Sequence, residues 1–585
     1  MKRSFNIFSL AIIVCLAASS CSEDFLEQEP IGQLNPAVLQ EVEGLNAVLI
    51  GAYSLLDGFE SQGGFGQRGA SSGTNWIWGD VRSDDMYRGD QTGGWDAINR
   101  IERYEIEPTN EWLWRGWTGF YDGVARSNDV LSILRQAEDI PAETASQIES
   151  EARFLRAWYH FNARIIWERV PYITEAVDPV TVVNDREIWD DIEADLRWGI
   201  DNGMEETPTE IGRASRWAVK AFLARVHLFQ NEYAEAKVLL DDIINSGPFT
   251  LMPNFYDNHS EEFQNNAESI FEIQYSVNDG AGKWNSGLDH QVAFPRVLGF
   301  CCDYQRPSFD LFNAFKVDEN GLPLLNSFRD NLDLHDQGIT FDQDYTPPAY
   351  PLDPRVDWTI GRRGVPYLDW GVYQGSNWTQ RPDEMGPFLN KKIQFWQRNE
   401  ATIRSSSPHW APGINGDNFN LFRLGHVLLW RAEVAAEEGD LATALDLVNQ
   451  IRARAANEVV MGQVATTNFG SIVDESEIEI DMTQPAANYL IEPYPSFPDQ
   501  DYARRAVRHE MRLEFALEGM RFFDLVRWGA DGEELNAYLQ AEAGVRAWMV
   551  GAQYDPEQDD YAPIPQNQID LQGGVLLQNP SNGGS

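Results

Sequence analysis

The chain has 585 residues, 43% of them hydrophobic and 12% aromatic, so it is long enough to bury a large core and has the composition of a folded protein. Its formal net charge is −46 at pH 7. A field of that sign repels phosphate backbones, which argues against nucleic acid as a partner.

The N-terminus predicts a lipoprotein signal peptide over residues 1–20. Two basic residues precede an apolar run over 5–18, which is too short to span a membrane. We expect cleavage before Cys21 and lipidation of its thiol. Acidic residues directly after Cys21 resemble the surface-export signal of Bacteroidetes lipoproteins. The alternative is plain secretion with an incidental cysteine, since Ala18 stands where a lipobox usually has leucine.

Apolar residues at helical spacing predict the first helices. These helices cover residues 37–56, 111–137, 146–168 and 187–200. A long loop rich in Gly, Asp and Trp, residues 57–98, separates the first two. A loop of this length in a compact protein is usually functional or disordered, and its tryptophans argue against disorder.

The same loop carries an acidic cluster that includes Asp80, Asp84, Asp85 and Asp90. Calcium favours several oxygen ligands, but the spacing is not that of an EF-hand. A solvated acidic loop is the alternative. We therefore expect no bound metal.

Two distant segments carry similar helical hairpins. The first covers 214–229 and 233–244, and the second lies within 423–455. Small residues, which let helices cross closely, occur at similar offsets in both. They are Ala224 and Ala236 in the first hairpin and Ala432 and Ala444 in the second. This spacing indicates degenerate tetratricopeptide-like repeats, and two unrelated hairpins are the alternative.

The region between the hairpins, residues 250–415, is rich in Pro, Gly, Asp and Trp, with one short helix predicted at 309–315. A second irregular insertion covers 457–500. Cys301 and Cys302 are adjacent, and neighbouring Cα atoms lie about 3.8 Å apart, below the usual disulfide range. A strained disulfide and two free thiols both remain open.

A helix is predicted over 503–518, ended by Gly519. It carries two rows of like charges at i,i+4 spacing. The rows are Arg504, Arg508 and Arg512, and Glu510, Glu514 and Glu518. Like charges at this spacing destabilise a helix, so each row should find partners in other segments. We predict that Arg508, Glu514 and Arg527 are structural and that the helix is packed on two sides.

This stretch resembles a known family signature. Residues 504–529, RRAVRHEMRLEFALEGMRFFDLVRWG, are similar to the C-terminal signature of SusD/RagB proteins. These are surface lipoproteins of Bacteroidetes that capture nutrients for a TonB-dependent outer-membrane transporter. The mature N-terminus CSEDFLEQEP and the closing segment YAPIPQNQIDLQGGVLLQN resemble the family as well.

The resemblance implies a mainly α-helical, SusD-like fold, in which tetratricopeptide-like repeats form a scaffold and a loop-rich region packs on it. It implies an N-terminal helical region over 21–250 and a C-terminal region over 251–585. The C-terminal region divides into a loop-rich part, a helical repeat, an insertion and the signature helix with the closing segment. Their bounds are 251–415, 416–456, 457–500 and 501–585.

The function implied by the resemblance is non-catalytic binding of oligo- or polysaccharides at the cell surface, outside the outer membrane. The protein would be held there by its lipid anchor and would pass ligand to a SusC-like TonB-dependent transporter, without a cofactor. A peptide ligand, as in RagB-like members, is one alternative. A secreted glycosidase and a structural adaptor are others.

Catalytic motifs are weak. The G-x-G-x-x-G at 64–69 follows no strand and opens no helix, so it does not predict a dinucleotide site. His509-Glu510 begins like a zinc-protease motif, but Leu513 stands where the second histidine is needed. We expect no enzyme activity.

Loop tryptophans are the candidate ligand residues, because indole faces can stack on sugar rings. The candidates are Trp76, Trp78, Trp95, Trp284 and Trp378. In an extended loop Trp76 and Trp78 would point the same way and contact successive sugars. The alternative is that these side chains pin the loops to the helices.

Overall fold

The computed structural model describes residues 36–58, 69–89, 95–281, 285–287, 293–406, 414–472 and 474–582. Cys21 with the predicted signal peptide, Asp90 and Trp284 lie outside the described residues. No helix in the described ranges is both long enough and apolar enough to cross a bilayer.

The N-terminal part is helical, as predicted. Its helices are α1 (Pro36–Leu39), α2 (Val42–Tyr53), α3 (Asp96–Glu102), α4 (Glu111–Gln136), α5 (Ala142–Trp167), α6 (Trp189–Asp201), α7 (Arg216–Phe229) and α8 (Tyr233–Ser246). The first predicted helix is divided: α1 and α2 are separate, and a 3-10 turn, Ser54–Asp57, follows. Side chains cap several starts; Asn110, for example, accepts a hydrogen bond from the Trp112 amide at 3.0 Å.

The second hairpin consists of α13 (Leu424–Glu438) and α14 (Leu441–Ala455). Helix α8 packs on α13, which joins the two hairpins in one array. The four alanines of the repeat pattern are fully buried at the crossings. The prediction of paired helical hairpins in a mainly α-helical fold is confirmed.

The loop-rich region contains short elements. Its helices are α9 (Phe309–Ala314), α10 (Val356–Thr359), α11 (Pro382–Met385) and α12 (Glu400–Ile403). The strands of the described ranges, inside and outside this region, are β1 (Met86–Tyr87), β2 (Ser269–Ile273), β3 (Arg306–Pro307), β4 (Ile360–Gly361), β5 (Leu389–Asn390), β6 (Phe419–Arg423), β7 (Met461–Val464) and β8 (Ile480–Pro485). They pair antiparallel as β1-β3, β2-β6, β4-β5 and β7-β8.

The signature helix is α15 (Gln500–Glu514), which begins three residues before the predicted start and ends four before the predicted end. Leu517 and Gly519 follow in the left-handed region, with φ of 63° and 74°. The chain continues through α16 (Arg521–Arg527), α17 (Asp531–Glu542), α18 (Pro556–Asp559) and α19 (Gln566–Leu571). Helix α15 packs on α13 and α14.

Both charged rows of α15 have partners in other segments, as predicted. Glu514 lies against Arg355, Arg423 and Arg454, with distances of 3.1 Å and 2.7 Å to the first two. These arginines hold the pKa of Glu514 far below its ordinary range although burial opposes them. Arg512 reaches Asp85 on the opposite side of the helix at 2.8 Å.

The other two residues predicted to be structural also have partners in other segments. Arg508 of α15 lies 3.6 Å from Glu437, and Arg527 of α16 bonds Glu433 at 2.7 Å. The helix is therefore packed on two sides. The largest apolar cluster runs from Leu45 to Leu576, so the N-terminal and C-terminal regions share a core.

Candidate functional site

The predicted pair Trp76 and Trp78 lies in the core, which corrects the interpretation of these residues as a ligand platform. They belong to a π-helical turn, Trp76–Val81, and not to an extended loop. Their exposed fractions are 3% and 0%. The Trp78 indole packs against Trp167 at 6.2 Å and donates to the Ala70 carbonyl at 2.8 Å. Both side chains pin the loop to the helices.

Trp378 is also buried, with 1% of its surface exposed. It packs between Tyr367 and Tyr373 in a separate apolar cluster, at ring distances of 5.7 and 5.4 Å. No face of this indole is open to a ligand, so Trp378 too is corrected to a core residue.

The acidic cluster of the first loop is an ion-pair centre. Asp84 is fully buried between Arg329, Arg512 and Arg521, at 2.7, 3.1 and 2.8 Å. The three guanidinium groups hold the pKa of Asp84 far below its usual range. Because arginines occupy the carboxylates of Asp84 and Asp85, these two residues are neither solvated nor suited to calcium, and Asp80 accepts from the Gly519 amide.

Trp95 is the one loop tryptophan of the predicted set that is half-buried in the part of the chain described by the structure. It stands at the N-terminal end of α3, and its indole packs edge-on against Trp112 at 5.2 Å. Trp95 also contacts Tyr304, which is half-buried as well, at 5.7 Å with the ring planes tilted by 51°. Two large rings therefore lie side by side at the surface.

Arg88 completes this group. Its guanidinium lies 4.6 Å from the centre of the Tyr304 ring and 6.0 Å from that of Trp95. The residue is buried, so the guanidinium is held close to the rings. We call Arg88, Trp95 and Tyr304 the Trp95 surface. Its two half-buried rings offer apolar faces of the kind that stack on a sugar ring, and the fully buried Arg88 supports them from within the protein.

The β1–β3 pair brings these residues together from distant parts of the chain. Tyr87 is paired with Arg306, so Arg88 and Tyr304 both lie just beyond this end of the ladder. The Tyr87 hydroxyl donates to the Met385 carbonyl at 3.0 Å, and burial raises the pKa of this phenol above its usual value. Gly89, at φ 111°, has no room for a side chain, because a Cβ there would press on Arg306.

Polar bonds fix the segment that carries Tyr304. Asp303 is fully buried and accepts from the Gln380 side chain at 3.2 Å. Arg306 donates to the Asp303 carbonyl and to the Thr379 hydroxyl, both at 2.6 Å. Cys301 and Cys302 lie just before this segment with their sulfur atoms against each other, so a disulfide and two thiols both remain open.

Left-handed backbone conformations accumulate around the Trp95 surface. Trp95, Asp303, Gln305 and Arg381 have φ values of 74°, 63°, 56° and 43°. Such conformations cost a non-glycine residue about 1 kcal/mol or more and are concentrated at binding and active sites. They support a functional role for this surface.

Sequence reasoning missed Arg88 and Tyr304. Both are loop residues, and Tyr304 lies between Gly299 and Pro307 in the loop-rich region, where turn residues are frequent. Counting tyrosine together with tryptophan in loops would have found it. Arg88 had no signal of its own, since its place beside the rings depends on the pairing of β1 with β3.

Comparison with known proteins identifies two matching family profiles. The profile described as "SusD family" matches residues 267–581. The profile described as "Starch-binding associating with outer membrane" matches residues 24–228. Two SusD-like proteins of Formosa agariphila, P38 and P25, are 25% and 23% identical to the chain. The P38 match covers 90% of this chain and 92% of the relative, and the P25 match covers 98% of each.

Solved structures share the fold. A SusD superfamily protein from Bacteroides vulgatus aligns with a TM-score of 0.67 at 20% identity, covering 92% of this chain and 99% of that one. Surface glycan-binding protein A from Bacteroides thetaiotaomicron, solved in complex with laminarihexaose, aligns with a TM-score of 0.62 at 21% identity and the same coverage.

Proposed function

Because the chain belongs to the SusD family, we propose that it binds oligo- or polysaccharides at the Trp95 surface, without catalysis, and delivers them to a SusC-like TonB-dependent transporter. The observation that carries the site is the half-buried pair Trp95 and Tyr304 with Arg88 beside it. Aromatic faces shed water readily on contact with the C–H face of a sugar, and the buried Arg88 guanidinium holds the Tyr304 ring in place.

The comparisons support a glycan as the ligand class. Two solved relatives are described by what they bind: one is in complex with laminarihexaose, and another, at 22% identity and a TM-score of 0.60, is a laminarin-binding SusD-like protein. The second family profile is named for starch binding and outer-membrane association. These descriptions support a glycan as the ligand here.

The proposed location follows from the sequence and from the family profile. Cys21 with its acidic neighbours supports a lipid anchor and exposure outside the outer membrane. Partnership with a SusC-like transporter rests on family membership.

A glycan-array screen with the mature protein, followed by calorimetry on the best ligand, tests the proposal. Saturable binding of at least one oligosaccharide is expected, with no new reducing ends after prolonged incubation. Release of reducing ends would make the protein a glycosidase. Binding of peptides in place of glycans would favour the RagB-like alternative.

A further inference from the structure

A cavity of about 520 Å³ opens beside the signature helix, on different elements from the Trp95 surface. Helices α15, α16 and α17 and the segment 325–329 form its walls. Its volume falls in the range of small-molecule sites, about 300–1,000 Å³, and is large enough for a monosaccharide. We call it the Arg505 cavity.

The lining of the Arg505 cavity is unusual for a chain with a net charge of −46. Five arginines contribute to it, together with two glutamates. They are Arg329, Arg505, Arg508, Arg512 and Arg521, with Glu533 and Glu534. In a protein with twice as many acidic as basic residues, 91 against 45, chance would favour an acidic lining.

The inner arginines are neutralised by the protein. Arg512 and Arg521 pair with the buried Asp84, and Arg329 pairs with Asp310 and Glu534. These pairs form a rigid, polar floor. Most of their hydrogen-bonding capacity is used within the protein.

The outer arginines are different. Arg505 is exposed and makes no ion pair within the described ranges. Arg508 lies across the Trp528 ring, with its guanidinium 4.9 Å from the ring centre. Its nearest carboxylate, Glu437, is 3.6 Å away and also bonds Arg504 at 2.9 Å. Burial lowers the pKa of Arg508, so its charge is incompletely compensated.

We propose that the Arg505 cavity binds a small oxyanion, either a free inorganic anion or the carboxylate or sulfate group of a charged sugar, through Arg505 and Arg508. Guanidinium groups bind carboxylate and sulfate through paired N–H donors, and the half-buried Trp528 holds one of the two in place. The bound anion would balance the positive charge of Arg508 that Glu437 does not fully neutralise.

The helix supplies a matched pair of variants for the test. Arg504 and Arg505 are consecutive residues of α15, but Arg505 lines the cavity, whereas Arg504 bonds Glu437 and Asp501 and does not line it. Arg505→Gln and Arg504→Gln remove the same charge. Because Arg505 is exposed, its substitution leaves the core unchanged.

Sodium sulfate, glucuronate and glucose are titrated into the full chain at low ionic strength, by calorimetry. We expect saturable binding of sulfate or glucuronate and none of glucose. Loss of one charge-assisted contact should weaken that binding about tenfold in Arg505→Gln, with little change in Arg504→Gln. If sulfate binds and glucuronate does not, the ligand is a free inorganic anion. If glucuronate binds, the ligand is a charged sugar.

Three results would overturn the proposal. One is the absence of saturation with either anion up to about 20 mM, which corresponds to negligible affinity. Another is equal binding of glucose and glucuronate, since charge would then be irrelevant. The third is that Arg505→Gln loses no more affinity than Arg504→Gln.

Discussion

Gly79 and Gly519 meet backbone to backbone: a Cβ atom added to Gly79 would overlap the Gly519 carbonyl. Both carboxylate oxygens of the neighbouring Asp80 accept from the Gly519 amide at 3.0 Å. The first long loop is thus fixed on the end of the signature helix. This contact also explains why Trp76 and Trp78 are buried, since they belong to the same π-helical turn as Gly79.

Gly79→Ala is expected to lower the free energy of unfolding by about 1–3 kcal/mol or more, because the methyl group must displace backbone. Chemical denaturation measures the change. Gly51→Ala is the control, since Gly51 lies in α2 with no atom within 4 Å of an added Cβ. Equal stability of the two variants would show that the loop does not rest on the helix end.

Glu514→Ala should be strongly destabilising. The carboxylate is fully buried among three arginines, and removal of one member of a buried ion pair costs roughly 3–5 kcal/mol. Thermal unfolding checks this, with the exposed Glu235→Ala in α8 as control. A variant with unchanged melting but lost ligand binding would move Glu514 from the core to the binding site.

Glu542 should contribute less to stability as the pH rises. Burial raises the pKa of this carboxyl to about 7, above the value of about 4.3 in an unfolded chain. The folded protein therefore holds the proton between these pH values and the unfolded chain releases it. The contribution of Glu542 to stability is complete below about pH 4 and is lost as the pH rises to 7.

Glu542→Gln removes this titration, so its stability should decline less than that of the wild type between pH 5 and pH 8. Denaturation curves at several pH values give the comparison. Glu533→Gln, an exposed change on the same helix, should keep the wild-type profile. Parallel profiles for all three proteins would contradict the assignment.

Trp95→Ala and Tyr304→Ala should each weaken glycan binding at least tenfold, because truncation of a central aromatic contact typically costs about 2 kcal/mol or more. Calorimetry with the best array ligand provides the measurement. Trp198→Ala is the control, since Trp198 is also half-buried and has an arginine over its ring, 5.1 Å from Arg153. Wild-type affinity in a folded Trp95 variant would exclude the Trp95 surface.

The Trp76→Ala/Trp78→Ala double variant is expected to be unstable. Removal of a buried Trp or Phe side chain costs about 3–5 kcal/mol, and both indoles are enclosed by the core. A well-folded double variant that loses glycan affinity would restore the original interpretation of this pair.

Cys21→Ala should release the protein from membranes, since the thiol is the predicted point of lipid attachment. Fractionation and surface labelling of whole cells test the prediction. A variant that still partitions with membranes and is labelled from outside would show that the anchor lies elsewhere.

The sequence by itself determined the helical array and the role of the signature helix. Periodicity identified α4, α5, α7, α8, α13 and α14 because each buries one continuous face, a local property that neighbouring residues reveal. The charged rows of α15 were equally informative. Like charges at i,i+4 have no local partner, so the sequence indicated that Glu514 needs partners in other segments, and the fold supplies Arg355 and Arg423.

The tertiary structure decided which loop aromatics are core and which are surface. Trp76, Trp95 and Trp378 stand in similar Gly-rich contexts, yet two are enclosed and one is half-buried. The difference depends on what packs on each segment. Gly519 covers the turn after Trp76, whereas the pairing of β1 with β3 sets Arg88 and Tyr304 beside Trp95. Contacts between residues hundreds of positions apart leave no periodic trace, which is why the sequence pointed to Trp95 but only the fold placed Arg88 and Tyr304 beside it.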